Sequence, residues 1–473
     1  MLRGKDTDQK FYYNISLEML VPQDHYLRHI DRLIDFDFIR NKVRHLYSHT
    51  GKPAIDPVVL FKMLLIGYLY DVKSERQLEK EIQVNLAYRW FIRYDLDEKI
   101  PDHSTISQTR RRKFVESNLF QEIFDEIVQK CMEKGLITGK TILTDSTYIR
   151  ADASLDSLRE IVITPQEFIQ RLEENSGDSK PVKNNRSDGS DNNEDKKLSN
   201  KTHRSSSDPD SKLVSRKGSG KGLVYKEHRS LDKSGFITDV HVTAGNIADT
   251  EPYVARLQRQ RDAFLFPIDS VVADRGYGTY HIYKDLTIMG IDAYIPETGS
   301  YKNQKNAFDN SGFIYNKRND TYQCPAGHIM RRKLRKPRQG GIQYKASKLV
   351  CNENCPNRTK CTTTKNHLAR EIYRNIYQDY MDHQLSKRNS RVWRALLKLR
   401  KTIVEGSFAD AKENHGMRRA KFRGLKKVQE QSFMTAIAQN IKRMAKDYKK
   451  VKELPGIVQE ISISCKVALV FDS

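Results

Sequence analysis

Residues 175–212, "NSGDSKPVKNNRSDGSDNNEDKKLSNKTHRSSSDPDSK", hold almost no apolar side chain. Such a stretch buries too little to offset the entropy of ordering it, so it reads as a flexible insertion. The fold must be built from the sequence on either side. The whole chain has 473 residues, enough for about three domains.

Upstream of the insertion, residues 15–137 read as a helical domain. "DPVVLFKMLLIGYLYDV" (56–72) is apolar at helical spacing, with Asp56 as cap and Pro57 in the first turn. Ser74 and Gln77 fit a capping box, "NLAYRWFIRYDL" gives a third helix, and Ser104 is expected to cap a short helix ending in Arg110, Arg111, Arg112 and Lys113. A helix over 119–136 stops at Gly135. Strand propensity then rises over 138–148, and residues 156–174 read as helix.

Downstream, "LVYKEHRSLDKSGFITDVHVTAG" (223–245) is a hairpin turning at Gly235. A helix from about residue 246, a strand over 270–273 ending at Asp274, a short helix and a strand in "IDAYIPE" follow. Residues 299–371 read as irregular and basic, and 372–449 as helical and basic. Residues 1–14 and 450–473 are tails. The order implies an α/β core with antiparallel and parallel pairing.

The net charge is +23. An excess of this size draws polyanions by long-range attraction and counterion release, nucleic acid first and an anionic membrane surface second. There is no run of 18 apolar residues and no apolar core near the N-terminus. These features predict no transmembrane helix, no secretory signal and a cytoplasmic, nucleoid-associated protein.

Three carboxylates stand out in this frame. Asp145 follows the β-branched run of "TILTD", and Asp274 follows "SVVA" and precedes Gly276 and Gly278. Glu405 lies in a helical stretch seven residues before Lys412, on the same face. Alone, Asp274 is an ordinary turn residue and Glu405 part of a solvated charge pair. Together, hard oxygen ligands of this kind suit a pair of Mg²⁺ or Mn²⁺ ions, which serve phosphodiester cleavage. Asp152, Asp249 and Asp410 are rival carboxylates.

"LTDSTYIRADAS", "ADRGYG" and "VEGSFADAKENHGMRRAKFRGL" resemble the three acidic motifs of DDE-type insertion-sequence transposases. "GKPAIDPVVLFKMLLIGYLY" with "DHSTISQTRRR" resembles the N-terminal helical domain of the same group. The resemblance implies an RNase H-like mixed-sheet core, an all-α DNA-binding domain and a Cys-rich insertion. It implies that Asp145, Asp274 and Glu405 bind two Mg²⁺ (or Mn²⁺), with Lys412 beside them. Where relatives carry Tyr and Arg ahead of the Glu, this chain has Lys398 and Lys401, and Arg400 stands next to Lys401 as a compensating charge.

The implied activity is metal-dependent DNA cleavage and strand transfer. Its partners are terminal inverted repeats and target DNA, and the protein is a homodimer on DNA. No membrane and no small-molecule substrate are expected. A nuclease without strand transfer, or a non-catalytic DNA-binding derivative, is the alternative. Candidate DNA contacts are Arg110–Lys113, Lys401, Arg418, Arg419, Lys421 and Arg423, with Lys426 and Lys427 close by; Trp90 and Trp393 read as packing residues.

Four of the six cysteines, Cys324, Cys351, Cys355 and Cys361, fall within 38 residues, with His328 nearby. In a reducing compartment that clustering reads as a structural Zn²⁺ site, held by the four thiolates or by three with His328, beside the basic strip "RRKLRKPRQ" (331–339); free thiols in a basic loop are the alternative.

Overall fold

The structure is a computed structural model and describes residues 15–47, 54–114, 117–161, 198–216, 220–297, 312–333, 341–351, 355–361 and 369–452. The expected N-terminal tail, the C-terminal tail from residue 453 on, most of the polar insertion, part of the basic strip (334–339), the Lys113 side chain and Cys465 lie outside the described residues, while residues 450–452, expected in the tail, continue the last helix. The chain divides into two compact units. The first comprises residues 1–137, 146–248 and 405–473, the second 138–145 and 249–404.

The first unit opens with eight helices: α1 (Leu17–Leu20), α2 (Tyr26–Leu33), α3 (Phe38–Val43), α4 (Pro57–Leu69), α5 (Glu75–Val84), α6 (Leu86–Ile92), α7 (His103–Thr109) and α8 (Leu119–Glu133). Helix α4 is apolar all round and buried from Leu60 to Leu69, as a central helix must be. Its start is fixed by Asp56, whose Oδ1 accepts the Val58 amide at 2.8 Å. Ser74 caps α5 through the Gln77 amide. The cap of α7 is Asp102 rather than Ser104. The Asp102 carboxylate lies one position before the first helical residue and takes the Ser104 amide at 2.7 Å. Beyond α7 the backbone widens into a π turn, Arg110–Phe114.

Strand β1 (Thr141–Arg150) has its later half in this unit. Strands β2 (Leu158–Glu160) and β3 (His203–Ser205) pair antiparallel. Strands β4 (Lys212–Arg216), β5 (Gly220–Asp232) and β6 (Ile237–Ala244) form an antiparallel meander, and Gly235 turns β5 into β6 with φ +86°.

Two expectations fail here. The segment expected to be helical from 156 begins as a 3₁₀ turn and then β2, and its remainder, 162–174, lies outside the described residues. The end of the polar insertion is ordered, with Ser205, Asp208 and Ser211 all buried. Hydrogen bonds take the place of apolar burial: Asp208 Oδ1 accepts the Tyr225 hydroxyl at 2.5 Å and the Gly424 amide at 3.1 Å.

In the second unit, β1 runs parallel to β7 (Ser270–Val272), which runs parallel to β8 (Asp292–Tyr294). Helices α9 (Thr250–Phe264), α10 (Tyr280–Ile288) and α11 (Gln378–Leu385) pack around them. Gln384 of α11 reads the β8 backbone, accepting the Ala293 amide at 2.8 Å. The long helix α12 (Arg391–Asn414) passes from the second unit into the first, followed by α13 (Leu425–Lys452). Antiparallel pairing in one unit and parallel pairing in the other give the mixed α/β character that the resemblance implies.

The segment expected to be irregular, together with residues 372–375, expected to be helical, contains a five-stranded antiparallel sheet: β9 (Ile314–Asn316), β10 (Thr321–Gln323), β11 (Ile329–Arg332), β12 (Gly341–Ala346) and β13 (Glu371–Asn375). Its strands are short and interspersed with lysine and arginine, which hides the period-two pattern. Among the described residues, no helix is long and apolar enough to cross a membrane.

Candidate active site

Asp145 and Asp274 belong to the second unit. The β1–β7 register pairs Leu143 with Val272. Each aspartate lies two residues past that pair, so parallel strands deliver both carboxylates to the same end. Asp145 is not at a strand terminus, since β1 runs on to Arg150, but it is past the last residue paired with β7. Asp274 leaves β7 into a 3₁₀ turn and accepts the Gly276 amide at 2.8 Å. Gly278 closes the turn against the opposite backbone. A Cβ there would lie 2.3 Å from the Pro296 carbonyl oxygen, so only glycine fits.

The phenol of Tyr277 lies beneath these acids. It is buried, and its hydroxyl has no hydrogen-bond partner. Burial first, then the charges of Asp249 and Asp145, the nearby Tyr253, and Asp274 push its ionisation well above the usual tyrosine range. The rival Asp249 thus shares this neighbourhood with Asp145 and Asp274. Arg400 of α12 donates from Nη1 to Asp145 Oδ2 at 2.6 Å. Arg400 thus lies on Asp145, while Lys401 is exposed.

Glu405, in the first unit, is exposed on α12, five residues beyond Arg400. Lys412, on the same helix, donates to Thr147 Oγ1 of β1 at 2.7 Å. This part of α12 is clamped by a buried ion pair that sequence reasoning missed. The Arg229 and Glu227 side chains of β5 are fully buried. Arg229 Nε donates to Glu227 Oε1 at 2.7 Å, and Nη1 donates to Ser407 Oγ at 2.7 Å and Gln439 Oε1 at 2.8 Å. The Ser432 hydroxyl donates to Glu227 Oε2 at 3.0 Å. The signal in the sequence was an alternating Glu-x-Arg flanked, within its strand, by the apolar Leu223, Val224, Tyr225 and Leu231.

The other rival acids have structural partners. Asp410 contacts His415, Asn414 and Gln439, and the His415 hydrogen bond leads the effects that hold its carboxyl far below the usual range. Asp152 pairs with Arg419 at 2.7 Å and Arg423 at 3.2 Å.

The candidate DNA contacts separate in the same way. Arg110 is turned inward, 7% exposed, between Glu75 and Glu430 and 3.8 Å from the centre of the Phe422 ring. A guanidinium held like this is not available to phosphate. Lys421 is also drawn in, with its ammonium 4.8 Å from the Tyr68 ring centre and burial lowering its pKa. Arg111, Arg112, Arg418, Arg419 and Arg423 remain exposed. Trp90 and Trp393 are buried packing residues.

The four cysteines of the second unit, all reduced, line one small cavity together with His328. Among the described residues, one set of three or more His, Cys, Asp or Glu side chains has every ligand atom within 4.8 Å: Glu79, Asp102 and His103. That set is an internal cap, since Glu79 Oε2 already takes the His103 amide and ring nitrogen at 2.9 and 2.7 Å. Neither the cysteines nor the acids of the second unit are drawn in that tightly.

Two family models match the chain. One, described as a transposase domain (DUF772), covers residues 15–112, and the other, a transposase DDE domain, covers residues 323–445. The second match includes Glu405 and Lys412 and begins after Asp145 and Asp274. No curated protein sequence matches. Among solved structures, the chain is similar to the Mos1 transposase paired-end complex with left transposon end, at 9% identity and TM-score 0.16, covering 52% of this chain and 60% of that one. It is similar to the Mos1 mariner paired end complex with Mn, at 10% identity and TM-score 0.16, covering 56% and 65%. It is also similar to the piggyBac transposase synaptic complex with hairpin DNA, at 10% identity and TM-score 0.25, covering 93% and 85%. The chain thus spans less than two thirds of the length of the Mos1 chains, and at these TM-scores the structural likeness carries no argument. The two matches mark residues 15–112 as a transposase domain and residues 323–445 as a transposase DDE domain, in that order along the chain.

Proposed function

We propose that the chain cuts the ends of an insertion sequence and joins them to target DNA, with Asp145, Asp274 and Glu405 holding two divalent cations, Mg²⁺ or Mn²⁺. The observation that carries this reading is the β1–β7 register, which delivers two carboxylates to one end of adjacent parallel strands. The donor set fits hard cations, which take oxygen ligands. Arg400 on Asp145 is already a positive charge in place there. Bound in pairs, such ions lower the pKa of an attacking water or hydroxyl and stabilise the leaving oxygen of a phosphodiester.

The chain's own residues do the rest. The Gly276 amide fixes one oxygen of Asp274, leaving the other for a cation. The Arg229–Glu227 pair holds the stretch of α12 that carries Glu405. Arg111 and Arg112 at the end of the helical domain, and Arg418, Arg419 and Arg423 after α12, bind DNA phosphates. The pairings of these last three with Glu413 and Asp152 are exposed, hence weak and exchangeable for phosphate. The helical domain takes the terminal inverted repeats, and two copies of the chain bring two ends together.

Asp274→Asn tests the assignment. It keeps the shape of the side chain and removes its charge, so cleavage and end joining are lost while binding to an inverted-repeat duplex persists. Retained cleavage contradicts the reading. Cleavage by the unaltered protein without joining to a second duplex would favour a simple nuclease.

A further inference from the structure

The four-thiol cavity is independent of the acidic site. It measures about 30 Å³, which admits a water-sized sphere and excludes any organic ligand. Cys324, Cys351, Cys355 and Cys361 all line it. They come from two places in the five-stranded module. Cys324 follows β10 in a tight turn, where its amide donates to the His328 carbonyl at 2.9 Å and its carbonyl accepts the Gly327 amide at 2.8 Å. The other three lie in the connection between β12 and β13, Cys351 and Cys355 at turns (Cys351 N–H to Ser347 O at 3.0 Å, Arg358 N–H to Cys355 O at 3.0 Å) and Cys361 at the end of a one-turn helix, Arg358–Cys361, with its N–H on Asn357 O at 2.9 Å. The Arg358 guanidinium donates to Cys351 Sγ at 3.5 Å.

Among the described residues, the module's buried core holds Phe313, Tyr322, Met330, Tyr344, Ala346 and Ile372, with Tyr315, Ile342, Cys324, Cys351 and Cys361 packed against it. Small modules commonly supplement such a core with metals or cross-links. No disulfide joins these cysteines.

We infer that Cys324, Cys351, Cys355 and Cys361 form a structural zinc site that ties the β10–β11 turn to the β12–β13 connection. Four thiolates with no open position match a structural site rather than a catalytic one. In a closed tetrahedral shell the sulfurs stand roughly 3.8 Å apart, given a zinc–sulfur bond of about 2.3 Å. The metal-free thiols are more widely spread. Closing such a shell requires only that the four half-buried thiols rotate toward one another about their side-chain bonds.

Metal analysis of the full-length protein, purified under reducing conditions without chelator, is expected to give about one zinc per chain. Cobalt exchange should produce the intense thiolate-to-metal absorption of a tetrahedral sulfur site. Cys355→Ser should lose most of the zinc and His328→Ala should keep it. Removing the metal should open residues 312–375 to protease while the helical domain stays intact. Absence of zinc from the unaltered protein, or zinc retained in a Cys351→Ser/Cys355→Ser double variant, would overturn the site. Loss of zinc from His328→Ala would overturn the four-thiol ligand set.

Discussion

Glu430 illustrates what a single buried side chain adds to the account. It is 5% exposed on α13 and faces Arg110, Glu75 and Lys427. Burial, its largest influence, raises it from 4.5 to about 7 against the pull of Arg110, with Glu75 pushing the same way as burial. Because the folded-state value lies above the ordinary one, the folded chain prefers the protonated acid. The stability this contributes is complete below pH 4.5 and is lost as the pH rises through about 7. At 1.36 kcal/mol per pH unit the loss is about 3 kcal/mol. Denaturant titrations at pH 5 and pH 8 are expected to show this fall, and Glu430→Gln should remove most of it. An unchanged difference in the variant would contradict the assignment. None of this was legible in the sequence, where Arg110 is simply the first of four consecutive basic residues. Its inward turn depends on acids 35 positions before it and 320 after it, namely Glu75 and Glu430.

At the scale of elements, the sequence was most legible where local signals act alone. The Asp56-Pro57 cap, the Ser74 cap and the Gly235 hairpin all rest on a few adjacent residues, and the structure has each of them. It was least legible where order comes from partners far along the chain. Residues 198–212 look like linker, yet Asp208 is held by Tyr225 and Gly424. The short strands β9–β13 lack a readable alternation and become a sheet only through each other. The Arg229–Glu227 pair belongs to this second class, because it joins β5 to Ser407 of α12 and to Gln439 and Ser432 of α13. Removing one partner of a buried pair leaves the other charge unsatisfied. Arg229→Ala is therefore expected to destabilise the protein by about 3–5 kcal/mol, read from the shift of the denaturant midpoint. Replacing both partners with apolar residues of similar size should cost far less. A near-neutral Arg229→Ala would remove the clamp from the account.

For the molecule as a whole, the acidic residues of the site and the net charge of +23 have complementary roles. On the proposed reading, the basic excess supplies affinity for a polyanion, while Asp145 and Asp274 supply a local concentration of negative charge that suits cations. The sequence named both aspartates. It could not supply the register that sets them side by side, since strand pairing joins positions 143 and 272 across the intervening hairpin and helix. It placed Arg400 beside Lys401 without linking it to Asp145, and the structure joins the two. The central claim is that these two carboxylates belong to one divalent-cation site. Titration of Mn²⁺ into the DNA-bound protein, followed by the paramagnetic signal of the free ion, tests it most directly. The account predicts saturable binding in the unaltered protein and its loss in both Asp145→Asn and Asp274→Asn. Unchanged Mn²⁺ binding in either variant would contradict it.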